Sequence, residues 1–149
     1  MFRYDNERVN NRLKSLCVSN TVLVQETSLR LNGLTKRLDG EIYMYSKYPM
    51  LNRIGFPGVE YFYFPNYDLN NFLEDVDGLT NVKIPTRERA IVDYYRLNEY
   101  DEETMLQAIK DYFYFNPEAL KLRIVAEFYG VDWNDILRLK EEAEEYLTH

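Results

Sequence analysis

The chain is poor in the residues that most catalytic and metal sites require. Its 149 residues include one cysteine and one histidine, and the histidine is the last residue, His149. A nucleophile paired with histidine, or a histidine metal site, would therefore lack an ordered partner. The lone Cys17 stands between Leu16 and Val18, a setting typical of a small core residue, and it excludes a disulfide within the chain. We assign no catalytic residue and expect a protein that is not an enzyme.

Glycine-rich loops and long apolar segments are also missing. The six glycines stand singly, without the spacing of a phosphate-binding loop, and we predict neither a cofactor nor a metal. No segment approaches the roughly 18 apolar residues of a membrane-spanning helix, and the charged start MFRYDNERVNNRLK has no signal-peptide core. We therefore expect a cytoplasmic protein with no membrane partner.

Positive charge is in short supply as well. The net charge is −7 and the sequence pI is about 4.8. Binding to a nucleic-acid backbone depends on clustered lysine and arginine, so we expect no direct nucleic-acid partner. A protein partner fits this composition better, and the sequence leaves open whether the chain also forms a homo-oligomer.

The chain does contain enough apolar material for one core. Hydrophobic residues make up 46% of the sequence, which with this length predicts a single domain over residues 1–149. In the N-terminal segment 1–16, apolar residues recur every three or four positions from residue 5, which predicts a short helix. A second helix is predicted over residues 21–33, with Thr21 as N-cap and Gly33 at its end, although the β-branched start also permits a strand.

Strand patterns occupy the middle of the chain. Alternating residues predict strands in EIYMYSKYP, in VEYFYFP and in NVKIP, the last ending at Pro85. Between the second and third of these, NYDLNNFLEDVDG reads as a short helix that ends at Gly78.

Helical patterns follow from Thr86 onward. They cover ERAIVDYYRL, DEETMLQAIKDYFYF, NPEALKLRIVAEFYG with Asn116 as N-cap and Pro117 at the first helical position, and DWNDILRLKEEAEEYLTH with Asp132 as N-cap. The order of elements predicts an α+β fold: a small mixed or antiparallel sheet of about three or four strands packs against several helices, and the C-terminal half is helical.

The 14 tyrosines and 8 phenylalanines exceed what a small core needs. Four tyrosines of the first two strands share a parity, so one sheet face could carry an array of phenols, either under the helices or against a protein partner. These candidate interface residues are Tyr43, Tyr45, Tyr61 and Tyr63.

The stretch VKIPTRERAIVDYYR reads locally as a strand end followed by a well-formed helix start. Thr86 is placed as the N-cap, and Glu88 lies in the first turn, where the helix dipole favours a carboxylate. Arg89 and Asp93 are four residues apart and can form an exposed ion pair, which would add only about 0.3–0.5 kcal/mol.

Part of this stretch, PTRERAIVDYY, also resembles the pattern T-x-E-R-x-x-x-D that follows the sheet in antitoxins of the AbiE abortive-infection systems. An earlier segment, TSLRLNGLTKRLDGEIYMYSK, resembles the family's S-A-L-x-x-x-G-L helix that leads into a strand. The two matches have the family's order and about its separation, and the resemblance covers roughly residues 17–147. It is carried by Ser28, Leu29, Gly33, Leu34, Thr86, Glu88, Arg89 and Asp93.

The resemblance implies the effector (C-terminal) domain of an AbiE-type (type IV) antitoxin, which counteracts a nucleotidyltransferase toxin in phage defence. Family members usually carry a winged helix before this domain, where it binds the operon's promoter. The first 20 residues here are too few for such a reader, so we expect an isolated effector domain that is either phage-borne or paired with a separate DNA-binding chain. Two alternatives remain: a small acidic phage or mobile-element inhibitor that mimics nucleic-acid charge, and an enzyme that uses carboxylates and tyrosines with a metal.

Overall fold

The computed structural model describes residues 21–34, 42–46, 59–63, 66–76, 82–97 and 99–146. The helices in these ranges are α1 Gln25–Leu31, α2 Arg87–Tyr95, α3 Glu102–Phe115, α4 Leu120–Phe128 and α5 Trp133–Tyr146. The strands are β1 Thr21–Val22, β2 Ile42–Ser46, β3 Val59–Tyr63, β4 Leu73–Asp75 and β5 Val82–Pro85. None of these helices combines the length and the apolar character needed to cross a membrane. The N-terminal helix predicted over residues 5–16, and Cys17, lie outside the described residues.

The fold mixes helices with strands and is helical in its C-terminal half, which confirms the α+β prediction at that level. The single sheet of about three or four strands is not confirmed. Within the described ranges, β5 pairs in parallel with β1 and antiparallel with β4, whereas β2 and β3 pair in parallel with each other. Parallel pairing needs a long connection between consecutive strands, and residues 47–58 supply it.

The start of the second predicted helix is wrong. Thr21 lies in β1, opposite Val82 of β5, and α1 begins only after Val24, whose side chain offers no capping oxygen. The strand that the β-branched run permitted is therefore the one formed, because pairing with β5 uses its extended preference. The predicted end is confirmed, since Gly33 adopts a positive φ of 74°.

The short helix predicted in NYDLNNFLEDVDG is also wrong. The carboxylate of Asp68 accepts hydrogen bonds from the backbone N–H of Asn70 and from the side chain of Asn71. Such local bonds compete with helix formation and hold the segment in turns. Phe72 then takes a left-handed φ of 55°, and β4 follows as the antiparallel partner of β5.

The start of α4 differs from the sequence prediction. Asn116 ends α3 instead of capping the next helix, and its side chain donates to the carbonyl of Tyr112. The chain then turns through Ala119, which has a left-handed φ of 53°, before α4 begins. The predicted end of α4 is confirmed by Gly130, which has a φ of 74°.

The core lies among the helices, and α2 is at its centre. This helix packs against α1, α3 and α4, while α3 packs along α5. The apolar stripe of α3 is buried throughout: Met105, Leu106, Ile109, Tyr112 and Phe113. In α5, Ile136, Leu139 and Ala143 are buried, whereas Tyr146 at the end of the helix is exposed.

Candidate functional site

The first turn of α2 forms as the sequence predicted. The hydroxyl oxygen of Thr86 accepts a hydrogen bond from the backbone N–H of Arg89 at 3.3 Å. The backbone N–H of Thr86 donates to the carbonyl oxygen of Phe72 at 2.9 Å. The cap therefore satisfies a helix N–H and also fixes the start of α2 to the turn that precedes β4.

The predicted pair between Arg89 and Asp93 is present, but it is not an exposed pair. The Nε of Arg89 lies 3.2 Å from Oδ2 of Asp93, and the two side chains are only 1% and 18% exposed. The Nη1 of Arg89 donates to the backbone carbonyl of Asn71 at 2.7 Å. The guanidinium therefore links α2 to the turn segment, and the small surface-pair energy expected from the sequence does not apply.

Two tyrosine rings enclose the guanidinium of Arg89. Its central carbon lies 4.5 Å from the ring centre of Tyr67 and 5.3 Å from that of Tyr129. At such distances the ring faces attract a cation, more strongly when water is excluded. We call these three residues with Asp93 the Arg89 cluster.

The polar ends of these tyrosines are bonded to carboxylates. The Tyr67 hydroxyl donates to Oδ2 of Asp93 at 2.9 Å, and the Tyr129 hydroxyl donates to Oδ2 of Asp68 at 2.8 Å. Burial, and after it the charge of Asp93, raises the pKa of Tyr67 well above its ordinary value. Burial also raises the pKa of Asp93, although Arg89 and the Tyr67 hydroxyl oppose this shift. The phenols therefore act as hydrogen-bond donors to these two carboxylates.

The Arg89 cluster anchors the C-terminal end of α4. Tyr129 follows the last residue of that helix, Phe128, and both rings contact Phe72, with centroids 6.0 and 5.2 Å away. The central carbon of the Arg96 guanidinium also lies 5.3 Å from the ring centre of Tyr129. A cavity of about 280 Å³ lies beside these groups. The last turn of α4 is thereby tied to α2 and to the turn before β4.

Glu88 of α2 and Tyr112 of α3 lie beside the N-terminal end of α4. The N-cap of α4 is Ala119, which has no side-chain oxygen to accept a hydrogen bond. The buried phenol of Tyr112 lies close to the carboxylate of Glu88 and to the backbone of Leu122 in the first turn of α4. Burial first, and then Glu88, raises the pKa of this phenol above its ordinary value. The motif residues Glu88 and Arg89 thus lie near opposite ends of the same helix.

The residues of the earlier motif segment close α1. Ser28, Leu29 and Leu34 are buried, and the backbone N–H of Leu34 donates to the carbonyl of Leu29 at 2.9 Å around Gly33. This arrangement is a helix C-terminus that needs a left-handed residue at Gly33.

Asn32 joins the two motif segments, and sequence reasoning missed it. Its side-chain nitrogen donates to the carbonyls of Ser28 and Pro85, at 2.9 and 3.0 Å. An asparagine directly before a helix-ending glycine was the available signal, since its amide can bond carbonyls that the helix leaves unpaired.

An open groove of about 1100 Å³ lies where the two segments meet, and we call it the motif groove. Its walls come from the end of α1, the first turn of α2 and the connection from α3 to α4. They include Asn32, Gly33, Thr86, Glu88, Pro117, Glu118, Leu120 and Lys121. Glu74 also lines the groove; burial raises the pKa of its carboxyl, and the charge of Glu88 acts in the same direction. Among the described residues, the groove is lined by three carboxylates, Glu74, Glu88 and Glu118, and by two cations, Arg87 and Lys121.

The four predicted interface tyrosines lie on the paired strands β2 and β3, and none of them stands opposite another. Tyr61 stands opposite Met44 and Tyr63 opposite Ser46, so the tyrosines of β2 and β3 are offset by one residue. Tyr45 is half-buried and its ring stacks on Tyr67, with centroids 5.1 Å apart. The side chains of Tyr43, Tyr61 and Tyr63 lie outside what the structure describes, and their role at an interface stays a prediction.

Among the described residues, no three histidine, cysteine, aspartate or glutamate side chains lie together as a metal site would require. The carboxylates near Arg89 are instead engaged by tyrosines, asparagines and arginine. Comparison of the chain with protein-family models, curated proteins and solved structures finds no match.

Proposed function

We propose that the chain is an antitoxin-like protein without enzymatic activity, which counteracts or regulates a nucleotidyltransferase toxin of an AbiE-type abortive-infection system. It acts by binding a protein partner in the motif groove. One observation carries this proposal: the two segments that resemble the antitoxin family, far apart in sequence, meet at this groove.

The buried members of the motifs support the same reading. Ser28, Leu29 and Leu34 close α1, and Arg89 with Asp93 anchors α4. These residues act by holding the walls of the groove, whereas Gly33, Thr86 and Glu88 line it. A pattern that combines wall supports with lining residues is what a binding surface of fixed shape requires.

Co-expression with a nucleotidyltransferase encoded beside this chain tests the proposal. The wild-type chain should relieve the toxicity of that enzyme, as measured by growth. Glu118→Arg, an exposed charge reversal in the groove, should weaken the relief. Glu141→Arg makes the same chemical change on the exposed side of α5 and should leave the relief intact. A wild-type chain that gives no relief would overturn the proposal, and equal losses in both variants would overturn the assignment to the groove.

A second candidate function is favoured by the acidic surface of α5. This helix buries Ile136, Leu139 and Ala143, and its exposed residues include Glu141, Glu142, Glu144 and Glu145. Such a surface could occupy the phosphate-binding groove of a defence or nucleic-acid-processing protein, as a phage or mobile-element inhibitor would. Here Glu141→Arg should weaken binding more than Glu118→Arg, and binding should fall steeply with added salt. Binding that is insensitive to ionic strength would exclude charge mimicry.

A further inference from the structure

The outer face of α4 is apolar, although the inner face of the same helix already contributes to the core. The inner residues are Leu122, Val125 and Ala126, all buried. On the outer face, Leu120, Ile124 and Phe128 follow one another at intervals of four and are 63%, 60% and 56% exposed. A helix that is apolar on both sides is normally covered on both sides. We call these three residues the outer stripe.

The outer stripe is held at its C-terminal end. Phe128 packs edge-on against Phe72, and the neighbouring Tyr129 belongs to the Arg89 cluster. Leu69, which is 49% exposed, follows Asp68, the residue bonded to Tyr129. A surface whose support is already ordered loses little entropy when it is covered.

The charges beside the outer stripe favour a second copy of this chain as the partner that covers it. Arg123 and Glu127 lie along one flank, 2.9 Å apart, and both are more than half exposed. Helix α4 carries two cations, Lys121 and Arg123, against this one carboxylate. Two copies of an acidic chain can therefore approach each other here without strong repulsion.

We propose that the outer stripe binds the same stripe of a second copy of this chain, with the two α4 helices antiparallel about a twofold axis near Ile124. This arrangement sets Leu120 of one copy against Phe128 of the other. It also brings the Arg123–Glu127 flanks of the two copies together, so that Arg123 of each copy comes within reach of Glu127 of the other. The contact is self-complementary in both shape and charge, which a twofold interface requires.

The expected dimer is reversible. A nine-residue helix at 1.5 Å per residue is about 13 Å long. Two such stripes bury less than the roughly 1,200–2,000 Å² of a typical stable interface. The monomer–dimer equilibrium should therefore depend on concentration and, through the flanking charges, on salt. This inference goes beyond the proposed function, because the dimer forms without any toxin.

Sedimentation velocity on the purified chain over a wide concentration series tests the dimer. Ile124→Glu places two carboxylates at the twofold axis and should weaken association by at least about tenfold, because like charges would be desolvated together. Leu137→Glu introduces the same charge at a partly exposed leucine of α5 and should leave association unchanged. Circular dichroism checks that both variants are folded.

A charge exchange makes the test specific to the antiparallel arrangement. Arg123→Glu should reduce dimerisation, because its carboxylate would face Glu127 of the second copy. The double variant Arg123→Glu/Glu127→Arg restores opposite charges across the axis and should dimerise like the wild type. A monomer at every concentration would overturn the proposal, as would association that Ile124→Glu leaves unchanged or a double variant that fails to recover.

Discussion

Two arginine–carboxylate pairs with identical spacing lie in very different parts of this molecule. Arg89 and Asp93 in α2 are almost enclosed, with side chains 1% and 18% exposed, whereas Arg123 and Glu127 in α4 are 56% and 57% exposed. Both pairs bridge one helical turn through the arginine Nε. The local sequence pattern is the same, so their different roles come from what surrounds them.

The surroundings give the buried pair additional bonds. Arg89 also bonds the carbonyl of Asn71 and lies over the rings of Tyr67 and Tyr129. The exposed pair in α4 faces water, which screens its attraction and replaces a lost bond at little cost. The first pair therefore holds the fold together, and the second is available for recognition.

The largest expected effect comes from breaking the buried pair. Asp93→Ala leaves the guanidinium of Arg89 buried without its carboxylate and should lower the free energy of unfolding by about 3–5 kcal/mol. Glu127→Ala removes the matching carboxylate of the exposed pair and should change the free energy of unfolding by no more than about 0.5 kcal/mol. Urea denaturation followed by circular dichroism measures both.

Similar losses in the two variants would contradict this comparison. To keep the Glu127 measurement free of dimer dissociation, the unfolding is followed at the lowest practical protein concentration, since association adds to apparent stability.

A smaller effect is expected from removing one hydroxyl of the Arg89 cluster. Tyr67→Phe deletes the 2.9 Å hydrogen bond to the buried Asp93 and should cost about 1–3 kcal/mol of unfolding free energy. Tyr95→Phe is the matched control: its hydroxyl bonds Asp135 of α5 at 3.2 Å nearer the surface, where water can replace it, and its loss should cost about 0.5–1 kcal/mol.

Thermal or urea unfolding of both tyrosine variants measures these two losses of stability. The reverse order, with Tyr95→Phe the more damaging, would show that burial of the carboxylate does not control the strength of these bonds. Arg89 would then hold Asp93 without assistance from the phenol.

The helix start at Thr86 could be predicted because all its bonds are local. The threonine cap, the early glutamate and the arginine–aspartate spacing depend on residues within one or two turns. The burial of Arg89 could not be predicted in this way, because it depends on Tyr67 and Tyr129, which distant parts of the chain supply. A sequence pattern shows that two side chains can meet, but not what covers them.

The same limit explains the errors in the fold. The predicted helix over NYDLNNFLEDVDG failed because side-chain bonds of Asp68 and pairing of β4 with β5 outcompeted a weak helical pattern. The predicted cap at Asn116 failed because its amide bonds the preceding helix instead of the following one. Helices with long apolar stripes, such as α3, were predictable because burial of one face dominates their energetics.

The smallest expected effect concerns Asp68, a half-buried carboxylate bonded to Tyr129 of the Arg89 cluster. Burial alone raises the pKa of its carboxyl, but hydrogen bonds from the N–H of Asn70, the side chain of Asn71 and the hydroxyl of Tyr129 outweigh burial. The pKa therefore lies below its ordinary value of 3.8. A lowered pKa means that the ionised form is favoured in the folded state, so its stabilising contribution is complete above about pH 4 and is lost as pH falls through the folded-state pKa.

Asp68→Asn should accordingly be less stable than the wild type at neutral pH, and the difference should shrink as the solution is acidified below the ordinary pKa. Urea unfolding of both proteins along a pH series measures this difference. Tyr129→Phe, which removes one of the three donors, should show a weaker form of the same pH dependence. A difference that stays constant with pH would mean that Asp68 acts through shape alone. A difference that grows on acidification would reverse the sign of the argument, because the proton would then favour the folded state.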